Sequence, residues 1–131
     1  MMEIKDPQGL YEIKVDLERR IVYENHFKGL FTIEALQRMD KDYKEKVIPA
    51  LGGKKWAKYC DMRNYQLSNI VDEMNTHLQY CIDHGLEHAA LIVESAVVKM
   101  QMNRTGRNTP VPPNAFTDEK EADAWLKSVG H

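Results

Sequence analysis

The stretch YCDMRNYQLSNIVDEMNTHL, residues 59–78, changes character halfway along its length. An apolar and aromatic run reaches Asp61 and Arg63, after which apolar residues recur at helical spacing from about Ser68 until Gly85. The pattern predicts a strand followed directly by a helix that ends at the glycine. A serine at such a junction either caps the helix or lies exposed as a chemical site at the end of a sheet.

The segments before this junction predict a hairpin and a long helix. Residues 10–17 and 21–29 are rich in β-forming side chains, and the short gap between them favours an antiparallel pair. Thr32 can cap the next segment, which keeps helical spacing until Pro49 and the Gly52-Gly53 pair end it. A strand over residues 55–61 then leads back to the junction.

The segments after the junction continue the alternation of strand and helix. AALIVES, residues 89–95, is a continuous apolar run typical of a strand covered on both faces, and we expect it to be the central strand. Residues 96–104 predict a short helix, and a brief edge strand fits near Phe116. Thr117 or Asp118 can cap a last helix.

This order of elements predicts an α/β layer fold. Parallel strands need helical crossovers, so we expect a mixed sheet of four or five strands with an N-terminal β-hairpin and about four helices. With 131 residues and 43% hydrophobic side chains, the chain can bury one core but not two, which predicts a single domain over residues 1–131.

Composition excludes several classes of partner. The formal net charge of -2 gives no general attraction to nucleic acid or to an anionic membrane. No apolar run is long enough to span a membrane, and the first residues lack the apolar core of a secretory signal, so we expect a cytoplasmic protein. Cys60 and Cys81 fall in a predicted buried strand and on a helix core face, which suits reduced thiols.

The chain resembles the STAS-like domains, the fold of bacterial anti-sigma-factor antagonists and of the cytoplasmic tails of sulfate transporters. Five features carry the resemblance: the opening hairpin, YCDMRN ending the third strand, the helix from Ser68, the apolar strand AALIVES, and the closing segment FTDEKEADAWL. This last segment is similar to the F-x-(D/E)-x-x-x-A-x-x-WL ending of uncharacterised STAS-like proteins. The resemblance covers about residues 10–126, and it implies an STAS-like α/β fold.

The resemblance also implies a regulatory role and a place for it. In the antagonists, a strand ends in Asp and the following loop presents Asp-Ser-Ser-Gly, in which one serine is phosphorylated to break a partner complex. Asp61 matches the acid at the strand end, whereas the residues that follow here are MRNYQLSN. Ser68 is the nearest positional match and is therefore the candidate phosphoacceptor.

Physical reasoning places a partner or ligand edge in the same region. Ser68 and Ser95 each follow a predicted parallel strand, and ligands of open α/β folds bind at the carboxyl ends of strands. Helix starts also favour a phosphate, although the same geometry serves an ordinary serine cap. The predicted small anionic binding edge comprises Asp61, Arg63, Asn64, Ser68, Ser95 and Lys99.

Metal binding and thiol catalysis are less favoured. His77, Cys81, His84 and His88 have the spacing of one helix face, but Gly85 should separate His88 from the others, so we expect no metal site and no cofactor. A nucleophilic Cys60 or Cys81 with His26 or His77 as base has no support in the spacing, and apolar surroundings disfavour a thiolate.

Two functions remain open at the level of the sequence. The first is a non-enzymatic regulatory module of bacterial signalling that binds a protein partner, such as a regulatory kinase-like or anti-sigma protein, with a homodimer left open. The second is a carrier or sensor of a small apolar or anionic ligand, because the resemblance extends to proteins of related fold that hold lipids.

Overall fold

A six-stranded mixed sheet lies at the centre of the computed structural model, which describes residues 1–27, 29–66, 70–105 and 110–131. The strands are β1 (Met2–Lys5), β2 (Tyr11–Asp16), β3 (Ile21–His26), β4 (Gly29–Leu30), β5 (Trp56–Asp61), β6 (Tyr65–Gln66), β7 (Leu86–Ile92) and β8 (Asn114–Phe116). Their order in the main sheet is β1-β2-β3-β5-β7-β8, and β4 pairs with β6 separately.

Helices connect the parallel part of this sheet. They are α1 (Ile33–Asp42), a π-helical turn (Tyr43–Val47), α2 (Ile48–Leu51), α3 (Val71–Asp83), α4 (Ala96–Thr105) and α5 (Glu119–Ser128). β1, β2 and β3 are antiparallel neighbours, whereas β3, β5, β7 and β8 run parallel. The expected α/β architecture with its N-terminal hairpin is therefore confirmed.

Two details of the expected sheet are wrong. The sheet has six strands rather than four or five, because β1 adds an edge strand whose one buried apolar side chain, Ile4, leaves little pattern in the sequence. The strand expected at residues 89–95 runs from Leu86 to Ile92, and it lies between β5 and the short β8, one place from the edge. Its apolar run reflects cover on both faces rather than a central position.

The sheet separates two hydrophobic clusters. One face packs against α1 and α3 and buries large side chains such as Tyr11, Phe31 and Trp56. The other face packs against α5, where Ala122 and Leu126 contact the smaller cluster. Alternation along each strand assigns successive residues to opposite faces, and it places Glu24 and Lys58 on the same face as the core residues Val22 and Trp56.

The long first helix contains a π turn over Tyr43–Val47, just before Pro49, and ends at the glycine pair that the sequence predicted. Thr32 caps α1 as expected, since its Oγ1 accepts a hydrogen bond from the Ala35 N–H. Pro49 has no N–H and its ring would clash with a carbonyl one turn earlier. The widened turn accommodates this, with Ile48 donating to the Tyr43 carbonyl, and the helix continues until Gly52.

A glycine turn fixes the end of α3 against the sheet. Gly85 has φ +103°, and a Cβ there would lie 2.9 Å from the Lys54 carbonyl oxygen. The neighbouring His84 carbonyl accepts a hydrogen bond from the Trp56 indole at 3.0 Å.

The described helices include none that is long and apolar enough to cross a membrane.

Candidate functional site

The predicted binding edge begins at the end of β5, where Arg63 is held by two carboxylates. Its guanidinium donates to both oxygens of Asp61, at 3.0 and 2.6 Å, and to Glu119 at 2.7 Å. Asn64 is exposed beside it. The positive charge is therefore already compensated, and an incoming anion would have to displace a carboxylate.

Two further members of the predicted edge, Ser95 and Lys99, lie at the start of α4. Ser95 precedes α4, and its carbonyl accepts the Lys99 N–H at 3.0 Å. The Lys99 ammonium lies 5.9 Å from the ring of Phe116, on the same border of the sheet as Glu119.

Ser68 lies outside the described residues, so its role as phosphoacceptor stays a prediction. The helix expected from about Ser68 begins instead at Val71, with Ile70 at its N-cap and no side-chain cap.

The four residues that suggested zinc are not brought together. His84 is exposed, stacks on Tyr80 at 4.2 Å and donates from Nδ1 to the Tyr80 carbonyl at 2.8 Å. His88 lies in β7 on the opposite face of the sheet, next to Trp125. His77 and Cys81 are close, with 3.7 Å between Nε2 and Sγ. Gly85 separates the helix from His88, as the sequence indicated.

A buried ionic cluster that sequence reasoning missed lies under α1 and α3. Glu24 of β3 and Lys58 of β5 are 2% and 5% exposed, and the Lys58 ammonium donates to Glu24 Oε1 at 3.4 Å. Tyr43 donates to the same oxygen at 2.6 Å, and His26 Nε2 donates to Glu24 Oε2 at 2.7 Å. Both carboxylate oxygens are thus satisfied in a position that would ordinarily hold an apolar side chain.

The cluster extends to α3 through a histidine. Lys58 Nζ donates to His77 Nε2 at 3.0 Å, so Nδ1 carries the imidazole proton and donates to Asp40 Oδ1 at 2.8 Å. The ammonium also lies 4.4 Å from the centre of the Tyr43 ring. A continuous chain of polar contacts therefore runs from α1 across α3 to two strands of the sheet.

The electrostatic surroundings keep these groups in fixed protonation states. Burial would raise the pKa of Glu24, but Lys58 and the hydrogen bond from His26 hold that pKa well below its usual range. Burial would lower the pKa of Lys58, yet the charge and hydrogen bond of Glu24 raise it. Burial and the nearby Lys58 lower the pKa of His77 to about 4, so the imidazole is neutral at pH 7.

The two thiols border the same cluster. Burial, followed by the charge of Glu24, raises the pKa of Cys60 well above its usual range, and burial also raises the pKa of Cys81. His77 Nε2 faces Cys81 but already accepts a hydrogen bond from Lys58. Although the structure brings Cys81 and His77 together, a thiolate is disfavoured at both cysteines.

The cluster forms the floor of a cavity of about 270 Å³ between the sheet and α3. Its lining is mostly apolar, and the buried polar side chains in it are Glu24, Lys58 and His77. The lining residues are Glu24, Lys58, Cys60, Met62, Met74, Asn75, His77, Leu78, Ala89, Leu91, Val111 and Pro113. Mostly apolar walls with a few convergent polar groups are typical of small-molecule sites.

The alternation of side chains along β3 and β5 could have revealed the buried pair of Glu24 and Lys58 from the sequence. Trp56, Lys58 and Cys60 share one face of β5, and Trp56 is a core residue, so a lysine between them must point into the interior. Glu24 has the same relation to Val22 in β3. An inward-facing lysine and an inward-facing glutamate on neighbouring strands predict a buried pair.

Comparison with known proteins identifies the fold. No family model matches the sequence, and no curated protein matches it significantly. Among solved structures, an uncharacterised protein of the DUF3478 family with a SpoIIAA-like fold, from Shewanella loihica PV-4, superposes with a TM-score of 0.68. The fold is SpoIIAA-like. This alignment covers 88% of the present chain and 91% of that protein, at 16% sequence identity.

The SpoIIAA-like fold confirms the resemblance to STAS-like domains at the level of architecture. At 16% identity the likeness concerns the fold alone, and functional residues must be argued from this chain's own geometry. The SpoIIAA-like sheet places the predicted edge at the carboxyl end of β5, and the buried cluster in the middle of the sheet beneath α3.

Removing the Lys58 ammonium should leave Glu24 as an uncompensated buried charge. We expect Lys58→Met to lower the free energy of unfolding by about 3–5 kcal/mol, and addition of Glu24→Gln to recover part of the loss. Urea denaturation at pH 7 measures both. Lys127→Met is the control, because Lys127 pairs with Asp123 at the surface, where a change of less than about 1 kcal/mol is expected. An equal loss of unfolding free energy in Lys58→Met and Lys127→Met would contradict a charged cluster.

The neutral His77 should make stability depend on pH. Its pKa is about 4 in the folded chain and about 6.5 when unfolded, so the unfolded chain binds more protons between these values. This contribution is complete above about pH 6.5 and is lost as pH falls towards 4, by about 3 kcal/mol.

Urea denaturation from pH 7 to pH 4 measures the contribution of His77. The His77→Asn variant should lose about 3 kcal/mol less than the wild type over this range, whereas the exposed-residue control His84→Asn should follow the wild type. Parallel pH profiles for the wild type and His77→Asn would show that His77 titrates normally in the folded chain.

Proposed function

We propose that this SpoIIAA-like protein is a non-enzymatic carrier or sensor that binds a small, largely apolar molecule in the cavity beneath α3. The observation that carries the proposal is the combination of apolar walls with a buried polar floor of Lys58, Glu24 and His77. The walls favour an alkyl or aromatic body, and the floor can exchange hydrogen bonds with one polar end.

The protonation states of the floor support binding rather than catalysis. General acid–base chemistry is most efficient when the pKa of the catalytic group lies near the working pH. The pKa of Lys58 and that of Cys60 are raised, the pKa of Glu24 is lowered, and that of His77 is about 4. These groups therefore supply fixed donors, acceptors and charges at pH 7.

The size and charge of the cavity narrow the ligand class. A water molecule, with its one non-hydrogen atom, takes up about 30 Å³ in the liquid. The cavity of about 270 Å³ therefore has room for a molecule of roughly nine non-hydrogen atoms. Lys58 and Glu24 neutralise each other, and His77 is uncharged. A neutral polar end, such as a hydroxyl or an amide, therefore fits the floor better than a carboxylate, which would have to compete with Glu24 for the ammonium.

Binding of 1-octanol and octanoate tests the proposal. We expect saturable binding of 1-octanol, weaker binding of octanoate, and chemical-shift changes in NMR spectra confined to residues that line the cavity. Leu91→Trp, which adds volume to the wall, should weaken 1-octanol binding at least tenfold, whereas Leu17→Trp places the same ring at a surface position and should not.

Native mass spectrometry of freshly purified protein provides the second measurement. A co-purified small molecule that is lost in Leu91→Trp and kept in Leu17→Trp would support the proposal. Absence of any co-purified molecule, together with no binding of either octyl compound at millimolar concentration, would refute it.

The second candidate function is regulatory protein binding at the carboxyl edge of the sheet, in a cytoplasmic setting that suits two buried free cysteines. The observation in its favour is that α4, which begins at this edge, exposes two large apolar side chains, Val97 at 63% and Met100 at 59%. These side chains lie next to Ser95 and Lys99 of the predicted edge.

Variants at this edge separate the two functions. If a protein partner binds here, a Val97→Asp/Met100→Asp variant should lose it in a quantitative pull-down, whereas the cavity variant Leu91→Trp should retain it. Ser68→Asp tests the phosphoacceptor prediction in the same assay, since a phosphate mimic should release the partner. Retention of the partner by both edge variants would rule out this edge as its binding site.

A further inference from the structure

Three potential metal ligands meet on the face of the sheet opposite the cavity. One donor atom each from Glu87, His88 and His131 lies within 4.8 Å of the others. The imidazole centres of His88 and His131 are 5.6 Å apart. The side chain of His131 is fully buried, whereas Glu87 and His88 are half-buried and can adjust.

A β-bulge explains why two consecutive residues of β7 contribute to the same cluster. Neighbouring residues of a regular strand point to opposite faces. Here Trp56 pairs with Leu86 and Ala57 pairs with His88, so Glu87 is the extra residue of a bulge. Bulges re-aim side chains, and this one directs Glu87 to the face on which His88 contacts Trp125 of α5.

The hydrogen bonds of His131 direct its Nε2 atom towards the carboxylate of Glu87. Its Nδ1 lies 3.2 Å from the Arg19 carbonyl oxygen, which can only accept, so Nδ1 carries a proton. In the neutral imidazole, Nε2 is then an acceptor, yet it lies 2.9 Å from Glu87 Oε1, another acceptor. The two acceptor atoms therefore face one point, at which a shared proton or a metal ion would satisfy both.

We propose that Glu87, His88 and His131 bind a divalent transition-metal ion such as Zn²⁺, with a fourth coordination position left for water or another ligand. Two imidazoles and one carboxylate are a ligand set that Zn²⁺ accepts, at distances of about 2.0–2.2 Å. The contact from His131 Nδ1 to a backbone carbonyl is the second-shell bond that orients a ligating histidine.

The charged neighbours of the site are compatible with a cation. Arg19 donates to the His131 carbonyl at 2.9 Å, but its guanidinium is paired with Asp123 at 2.7 Å. Arg20 donates to the Gly130 carbonyl rather than towards the cluster. The site shares no ligand with the cavity, so this proposal is independent of the proposed function.

Cobalt titration of the full chain, freed of metal and without an affinity tag, tests the site. We expect one equivalent of Co²⁺ to bind with visible absorption of a four- or five-coordinate ion, and Zn²⁺ to displace it. Glu87→Gln and His131→Ala should each weaken Co²⁺ binding by at least about 10- to 100-fold. His84→Ala, which removes an exposed histidine outside the cluster, is the control and should bind as the wild type does.

Two results would overturn the proposal. One is the absence of saturable Co²⁺ binding, or binding that Glu87→Gln leaves unchanged, which would mean that a proton alone bridges Glu87 and His131. The other is a thiolate-to-cobalt absorption band in the near ultraviolet, which would place the metal at Cys60 or Cys81. Glu87→Gln is a conservative change at a half-buried side chain, so it remains informative if His131→Ala does not fold.

Discussion

The arrangement beneath α3 depends on one buried ion pair, between Lys58 and Glu24. In the parallel register of β3 and β5, Glu24 lies opposite Cys60 and Lys58 lies opposite Val22, so the two charged side chains approach diagonally on one face. Burying such a pair costs desolvation that its own attraction often fails to repay, and a well-packed apolar pair would be as stable or more so. The stability of the fold alone therefore does not account for this pair.

The helices are placed so that every charge in the cluster has a partner. The widened turn after α1 keeps Tyr43 and Val47 buried despite Pro49, and it brings the Tyr43 hydroxyl to Glu24. α3 contributes His77, whose two ring nitrogens connect Lys58 to Asp40. Because each donor already has an acceptor, a ligand would meet preorganised groups and would not have to order them.

Sequence patterns predicted the elements of the fold much better than the contacts between them. The hairpin, the Thr32 and Asp118 caps and the two-faced β7 follow from local spacing and side-chain chemistry, which one sequence displays. Edge strand β1, with a single buried apolar residue, leaves almost no such pattern. Continuation of the helix past Pro49 depends on tertiary packing that compensates for the missing N–H.

The candidate site was harder to predict because its members are far apart in the sequence. Lys58 and Glu24 are separated by 34 positions, and neither belongs to a recognised motif. Strand alternation could have assigned both to the interior, but strand order, which a single sequence does not reveal, decides that β3 and β5 are neighbours. Asp61 and Arg63 of the predicted edge are close in the chain and form an ion pair in the structure, whereas the binding role of that edge stays a prediction.

Consecutive residues of β7 belong to sites on opposite faces of the sheet. Ala89 lines the cavity, and the preceding residue, His88, belongs to the cluster with Glu87 and His131 on the other face. The bulge at Glu87 sets the register of β7 against β5, and so it also sets which side chains of β7 reach the cavity. A bound ion that fixed the bulge would therefore fix one wall of the cavity, through a single peptide bond rather than a long chain of contacts.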